Sequence, residues 1–490
     1  MMFPPLFHFI FLVALFSCLI FSLCFQTHGK RWGVSLLFAL LFVGILFHQA
    51  CWQLSGFGSL GFQKFQRRYD VRPQTCERTI SSRGRLLDRH GSVLSQALPG
   101  KRWGHEASLG EAGLQTIGYV SGEYGLSGLL RVFDARLCGI PPTDFSRRLL
   151  KRAVPEDIRL TLDSNLQRKA FNALNGRSGA VVALDPTTGE ILVLVSSPST
   201  TETMLKEALR DHQRTPLLNR AIHGRYPPGS VFKIFTAALA LENHKAGVYV
   251  CPRNGWAPAP STKPIRDTHP CPINRPNLAL RQAFAESSNI WFAKAAIACS
   301  WPVFQSVANR CWLNRALPLA VCGERAFTSV AGVIPDLSPY PRRVAYLGFG
   351  QGDLLLTPLH VAMLTASIAN NGIMVSPHLE QNIQTEKHQF WSPTVAKRVR
   401  DLMCASVSEG TSKGIALPGL SIGGKTGTAE TTGRDHAWFT CFAPVDHPKI
   451  VITVLIEHGG FGAVAALPIA RELLREWRKT TSPSTLSPQI

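Results

Sequence analysis

Two apolar runs open the chain. Residues 3–25 and 33–52 contain no Asp, Glu, Lys or Arg. Each is about the twenty residues that a helix needs to cross the hydrocarbon layer of a membrane. Only the segment QTHGKRW (26–32) separates them, so the pattern predicts a two-span membrane anchor over residues 1–55. A cleaved signal peptide over residues 1–25 fits less well, because no basic segment precedes the apolar run. Lys30 and Arg31 favour a cytoplasmic short loop, whereas Lys64, Arg67, Arg68 and Arg72 argue by count for the reverse. Long domains translocate largely regardless of such counts, so charge does not decide the orientation.

Beyond a Gly/Ser-rich linker at 53–62, the patterning changes. Residues 83–94 (RGRLLDRHGSVL) predict a strand, a turn at His90–Gly91 and a second strand, within a small β-rich module over 56–156. Residues 157–174 begin with strand alternation and turn helical, with Asp163 as the N-cap. Residues 179–199 predict two strands joined near Pro186–Gly189. Helical periods dominate from about 230 to 310 and from 357 to 371, strands return over 420–457, and a last helix covers 468–479. Strands at both ends with helices between them predict an α+β domain over 157–479, followed by a disordered tail at 480–490.

Composition narrows this only a little. At 490 residues the chain exceeds one ordinary compact domain, and 45% apolar content allows a large core. A formal net charge of +20 suits an anionic partner, but charge alone does not choose among nucleic acid, an acidic membrane face and a polyanionic wall. Nine of the twelve cysteines follow the apolar runs, an odd number that leaves at least one unpaired within the chain. Cys251 and Cys271 flank a Pro/Gly-rich loop and are the best disulfide candidates; no C-x-x-C or H-x-x-x-H spacing accompanies them to suggest a metal.

Three short motifs carry candidate chemistry. In PPGSVFKIFTAALALE (227–242), Ser230 falls at the start of an apolar helix, where free N–H groups and the helix dipole favour a developing anion. Lys233 follows one turn later on the same face and is a candidate base for the Ser230 hydroxyl. The plain alternative is an N-cap serine with a surface lysine, which the all-round apolar helix disfavours. Ser287 and Asn289, in LALRQAFAESSNIWFAKAA (278–296), can line a pocket, although taken alone a polar helix junction explains them better. In SIGGKTGTAE (421–430), Lys425 and Gly427 share one face of a predicted strand. Lys425 would supply positive charge, Gly427 close backbone approach, and Thr428 pairing to an extended peptide. Residues 419–426 (GLSIGGKT) also satisfy the phosphate-loop pattern, in which Lys425 and Thr426 would serve a nucleotide. Such a loop must open a helix, whereas the segment that follows here alternates as a β-hairpin.

Together, S-x-x-K at 230–233, S-x-N at 287–289 and K-T-G at 425–427 resemble, in order and spacing, the penicillin-binding protein and serine β-lactamase superfamily. RGRLLDRHG (83–91), IGYVSGEYGLSGL (117–129), NRAIHGRYPPGSVFK (219–233), GFGQGDLLLTPLHVA (348–362), IANNG (368–372) and VLIEHGGFGAVAALPIARELL (454–474) resemble segments of class B penicillin-binding proteins. The resemblance implies an antiparallel sheet flanked by helices plus an all-helical subdomain. It implies a peptidoglycan D,D-transpeptidase, acting on stem peptides outside the bacterial cytoplasmic membrane and acylated by β-lactams. Ser230 would be the nucleophile and Lys233 the base, with Ser287 and Lys425 relaying a proton. Asn289 would hold the substrate amide; Lys425, Thr426, Gly427 and Thr428 would bind substrate. Backbone N–H groups of Ser230 and Thr428 would form the oxyanion hole. It implies no metal, no organic cofactor and no nucleic acid partner. No segment resembles the family's glycosyltransferase domain, which implies a partner glycosyltransferase of the shape, elongation, division and sporulation (SEDS) type. A D,D-carboxypeptidase, a β-lactamase and a β-lactam sensor share the motifs and are the alternatives. Two local departures stand out. Gly128–Leu129–Leu130 replaces a common Gly-Leu-Glu, which puts the usual docking of the small module in doubt. A common His-Gly pair is replaced near Asn274–Arg275.

Overall fold

The computed structural model describes residue 42 and residues 83–98, 105–139, 154–260, 262–268, 277–335 and 340–481. The two apolar runs, apart from residue 42, together with Cys271 and the Asn274–Arg275 departure, therefore lie outside the described residues. Among the described residues no helix is long and apolar enough to cross a membrane.

A five-stranded antiparallel sheet organises the larger part. We number its strands after four in the N-terminal part: β1 (Leu86–Leu87), β2 (Val93–Ala97), β3 (His105–Ala107) and β4 (Ile158–Arg159). The sheet comprises β5 (Gly179–Leu184), β6 (Ile191–Ser197), β7 (Gly423–Ala429), β8 (His436–Ala443) and β9 (Ile450–Ile456), in the order β7-β8-β9-β5-β6. Strands with period-two side chains normally alternate apolar and polar, but here both faces are covered, and β5, β6, β8 and β9 are largely apolar on both. Val181, Ala183, Phe439, Cys441, Ile452 and Val454 pack on one side with helix α1 (Ser164–Leu174) and the C-terminal helix. Val182, Leu184, Trp438, Phe442, Val451 and Leu455 pack on the other with the helical layer. Asp163 caps α1 as expected, accepting from the N–H groups of Asn165 and Leu166 at 3.0 Å each.

The helical layer contains α2 (Lys233–Glu242), α3 (Leu280–Ala285), α4 (Asn289–Ala298), α5 (Pro358–Ala369) and α6 (Pro393–Ser408); the C-terminal helix is α7 (Leu467–Thr481). This layer is not all-helical as expected. Residues 249–250 pair with 277–278, and 318–322 form a hairpin with 325–328. The Gly323 turn at φ +61° supports that hairpin, which lies between the two stretches whose periods are helical. The phosphate-loop alternative fails. Lys425 and Thr426 lie inside β7, opposite Thr440 and Phe439 of β8, and open no helix.

β1 pairs with β2 and also, in parallel, with β4, so the strand expected to open the larger domain completes the sheet of the smaller. Gln167 Nε2 donates to Ala112 O at 2.8 Å, and Thr116 Oγ1 to Leu194 O at 3.0 Å, tying the two parts together. Leu130, at the departure from Gly-Leu-Glu, is buried among apolar residues. A buried carboxylate comes instead from Asp134, which bridges Arg83 at 3.0 Å and Arg325 at 3.6 Å.

Candidate active site

The chain enters the Ser230 turn under tight backbone control. Gly229 N donates to Gly350 O at 2.8 Å, and Trp438 Nε1 donates to Pro227 O at 3.0 Å. Gly229 has φ +55°, and a Cβ there would lie 2.5 Å from Thr428 O; only glycine fits both demands. Residues 229–232 form a 3-10 turn before α2 begins at Lys233, so the helix starts one turn later than its apolar pattern suggested. The turn brings Ser230, half-buried, beside the K-T-G strand: a Cβ on Gly427 would be 3.1 Å from Val231 N.

Helices α3 and α4 break at Ser287–Ser288, where Ser287 adopts φ +62°. Ser288 caps α4, accepting from Trp291 N at 3.1 Å. The break turns Ser287 and Asn289 toward Lys233. Lys233 Nζ donates to Ser287 O at 2.6 Å, Ser287 Oγ at 3.1 Å and Asn289 Oδ1 at 2.7 Å. Lys425 Nζ reaches the same hydroxyl from β7, donating to Ser287 Oγ at 2.9 Å and to Thr426 O at 3.1 Å. The amines lie 5.6 Å and 5.7 Å from the ring centres of Phe292 and Phe284.

Both lysines are fully buried. Burial, then the Lys425 amine, hold Lys233 well below its ordinary value, while Asp267 works the other way. Burial pushes Lys425 down to about 7. One hydroxyl between two amines of lowered basicity can accept from a charged amine while donating to a neutral one. Lys233, Ser287 and Lys425 thus form one continuous hydrogen-bonded chain.

Among the described residues β7 is an end strand of its sheet, with no strand paired along its outer edge. Thr426 Oγ1 bonds Thr411 Oγ1 at 2.6 Å, and Thr428 is half-buried on the strand beyond Gly427. The eight sequence-predicted site residues therefore converge on one locality. Sequence reasoning missed Asp267, which anchors the Ser287–Asn289 turn, and Gly350, which anchors Gly229. A lone aspartate in an irregular loop carries no periodic or motif signal, although the glycine lies in a segment whose resemblance was noted. Among the described residues, no group of three or more His, Cys, Asp or Glu is placed to hold a metal.

Residues 179–475 match the model for the penicillin binding protein transpeptidase domain. Peptidoglycan D,D-transpeptidase PbpA of Mycolicibacterium smegmatis is 35% identical over 409 residues, covering 72% of this chain and 80% of the relative. The crystal structure of PBPA from Mycobacterium tuberculosis aligns with a TM-score of 0.71 at 28% identity, covering 80% of this chain and 98% of that one. A penicillin G acyl-enzyme complex of penicillin-binding protein A from M. tuberculosis aligns with a TM-score of 0.70 at 30% identity, covering 81% and 99%.

Proposed function

The chain belongs to the penicillin-binding protein transpeptidase family, and from that premise we infer that it is a serine-type peptidoglycan D,D-transpeptidase and a target of β-lactams, with Ser230 as its acylated nucleophile. The observation that carries the residue assignment is the Ser287 hydroxyl bracketed by two buried amines, at 3.1 Å and 2.9 Å, one of which, Lys233, lies one turn of chain from Ser230.

In this reading neutral Lys233 takes the Ser230 proton as Oγ attacks the carbonyl carbon of the penultimate D-alanine. N–H groups of Ser230 and Thr428 stabilise the oxyanion. The C–N bond then breaks, and the departing D-alanine amine receives a proton through Ser287 and Lys425. A second stem peptide's amine attacks the ester, its amide forms, and Ser230 Oγ regains a proton. Asn289 holds the substrate amide; Lys425, Thr426, Gly427 and Thr428 bind the peptide along β7. The lowered basicity of Lys233, caused by burial and then by the Lys425 amine, supports its role as the proton acceptor. Water in place of the second amine would make the enzyme a carboxypeptidase; analysis of products on peptidoglycan separates the two.

We also read residues 1–55 as a two-span membrane anchor, 56–156 as a small module and 157–479 as the transpeptidase domain outside the membrane. The two uncharged runs support the anchor. A SEDS-type glycosyltransferase is the partner this arrangement suits.

The test is labelling with fluorescent penicillin followed by peptide mass spectrometry. The adduct is expected on Ser230, long-lived, and absent from folded Ser230→Ala protein. Labelling that survives the substitution, or rapid turnover of the drug, would refute the assignment.

A further inference from the structure

Asp267 belongs to none of the motifs, yet its carboxylate grips the Ser287–Asn289 turn. Oδ2 accepts from Ser288 Oγ at 2.8 Å and Oδ1 accepts from Ile290 N at 2.9 Å. The neighbouring Arg266 O adds a third attachment, accepting from Asn289 Nδ2 at 3.0 Å. These bonds come from a loop 21–23 residues away in sequence and hold the segment to which Lys233 donates all three of its bonds. Ser287 at φ +62° sits in a region that side chains disfavour, so its turn persists only where surrounding bonds impose it.

We propose that Asp267 is a positioning residue for acyl transfer: it fixes the Ser287–Asn289 turn so that the serine hydroxyl and the asparagine amide hold the Lys233 amine against its substrate-bound nucleophile. The proposal rests on the reading of Ser230 as nucleophile and Lys233 as base. Asp267 acts on Lys233 through its charge and through the turn it anchors at Ser288 and Ile290. The charged groups that act on Lys233 are Lys425 from β7, which lowers its basicity together with burial, and Asp267 from the loop, which raises it. A carboxylate that merely capped α4 would stabilise the helix, and its loss would lower the melting temperature without slowing acylation.

The experiment measures the acylation rate of the full-length protein in detergent by fluorescent penicillin, from pH 5 to 9, for wild type and Asp267→Asn. Asparagine keeps an oxygen acceptor but removes the charge. The rising limb of the wild-type profile reports Lys233 deprotonation. In the variant it is expected to move to lower pH by about one unit or less, because a favourable counter-charge is gone. The plateau is expected to fall several-fold, with the melting temperature nearly unchanged. An unmoved limb or an undiminished plateau overturns the proposal, and a lower melting temperature with an unmoved limb identifies a helix cap only. Should Asp267→Asn not fold, Ser288→Ala removes one anchor and keeps the charge. Acylation several-fold slower, with the limb in place, then supports the proposal, and a wild-type rate overturns it. Failure of the underlying reading looks different: wild type would not be acylated, or Ser230→Ala would be.

Discussion

Replacing Lys425 with methionine should stabilise the protein at neutral pH while removing its activity. The lysine is fully buried, and burial lowers its amine from an ordinary 10.5 to about 7. That displacement corresponds to about 5 kcal/mol of folding free energy set against the charged amine. Between pH 7 and 10.5 the unfolded chain holds a proton on this group that the folded chain has shed. Wild-type stability therefore rises with pH across that window, and below it the unfavourable contribution is complete. Methionine has similar length and no charge, so it removes this contribution. It also forfeits the bonds to Ser287 Oγ and Thr426 O, worth about 1 kcal/mol each. The net expectation is a gain of about 3 kcal/mol near pH 6.5, shrinking and then reversing toward pH 10.5. Thermal and urea unfolding of both proteins across this range would measure it, with fluorescent penicillin reporting the lost acylation. A folded Lys425→Met protein no more stable than wild type at pH 6.5, or a difference that does not vary with pH, would refute the reasoning.

Two further substitutions probe the supports of the site and of the small module. Gly229→Ala should lose about 1–3 kcal/mol in urea unfolding and slow acylation at least about tenfold, since its φ of +55° is strained for alanine and its Cβ would meet Thr428 O at 2.5 Å. Asp134→Ala should lose about 3–5 kcal/mol, seen as a lower melting temperature, because it strips a buried counter-ion from Arg325; an unchanged melting temperature would mean that the Asp134 bridge does not hold the small module.

The larger domain was readable because its chemistry and its periodicity are local. The pairs Ser230–Lys233 and Lys425–Gly427 each lie within one turn or one strand, where backbone geometry alone fixes which residues share a face. Apolar runs at 179–184, 191–197, 436–443 and 450–456 marked strands buried on both faces. The short ladders within the helical layer escaped notice because two- to five-residue strands carry too few positions for a period to emerge. The contribution of β4 to the small sheet was hidden for a related reason, since parallel pairing joins Leu86 to Ile158 across 72 residues.

By itself the sequence determined the two uncharged runs, the α+β order of elements, the three motifs and hence the family they resemble, since each is a property of neighbouring residues. Tertiary structure alone decided that Lys233 and Lys425, far apart in the chain, meet at one serine hydroxyl, and that both are buried deeply enough to lose basicity. It also recruited Asp267, Gly350 and Asp134, whose significance comes from what folding brings beside them. Burial and through-space charge act over distances that the order of residues does not encode, and for that reason the amines' reactivity emerges only once the sheet, the helical layer and the loop close around them.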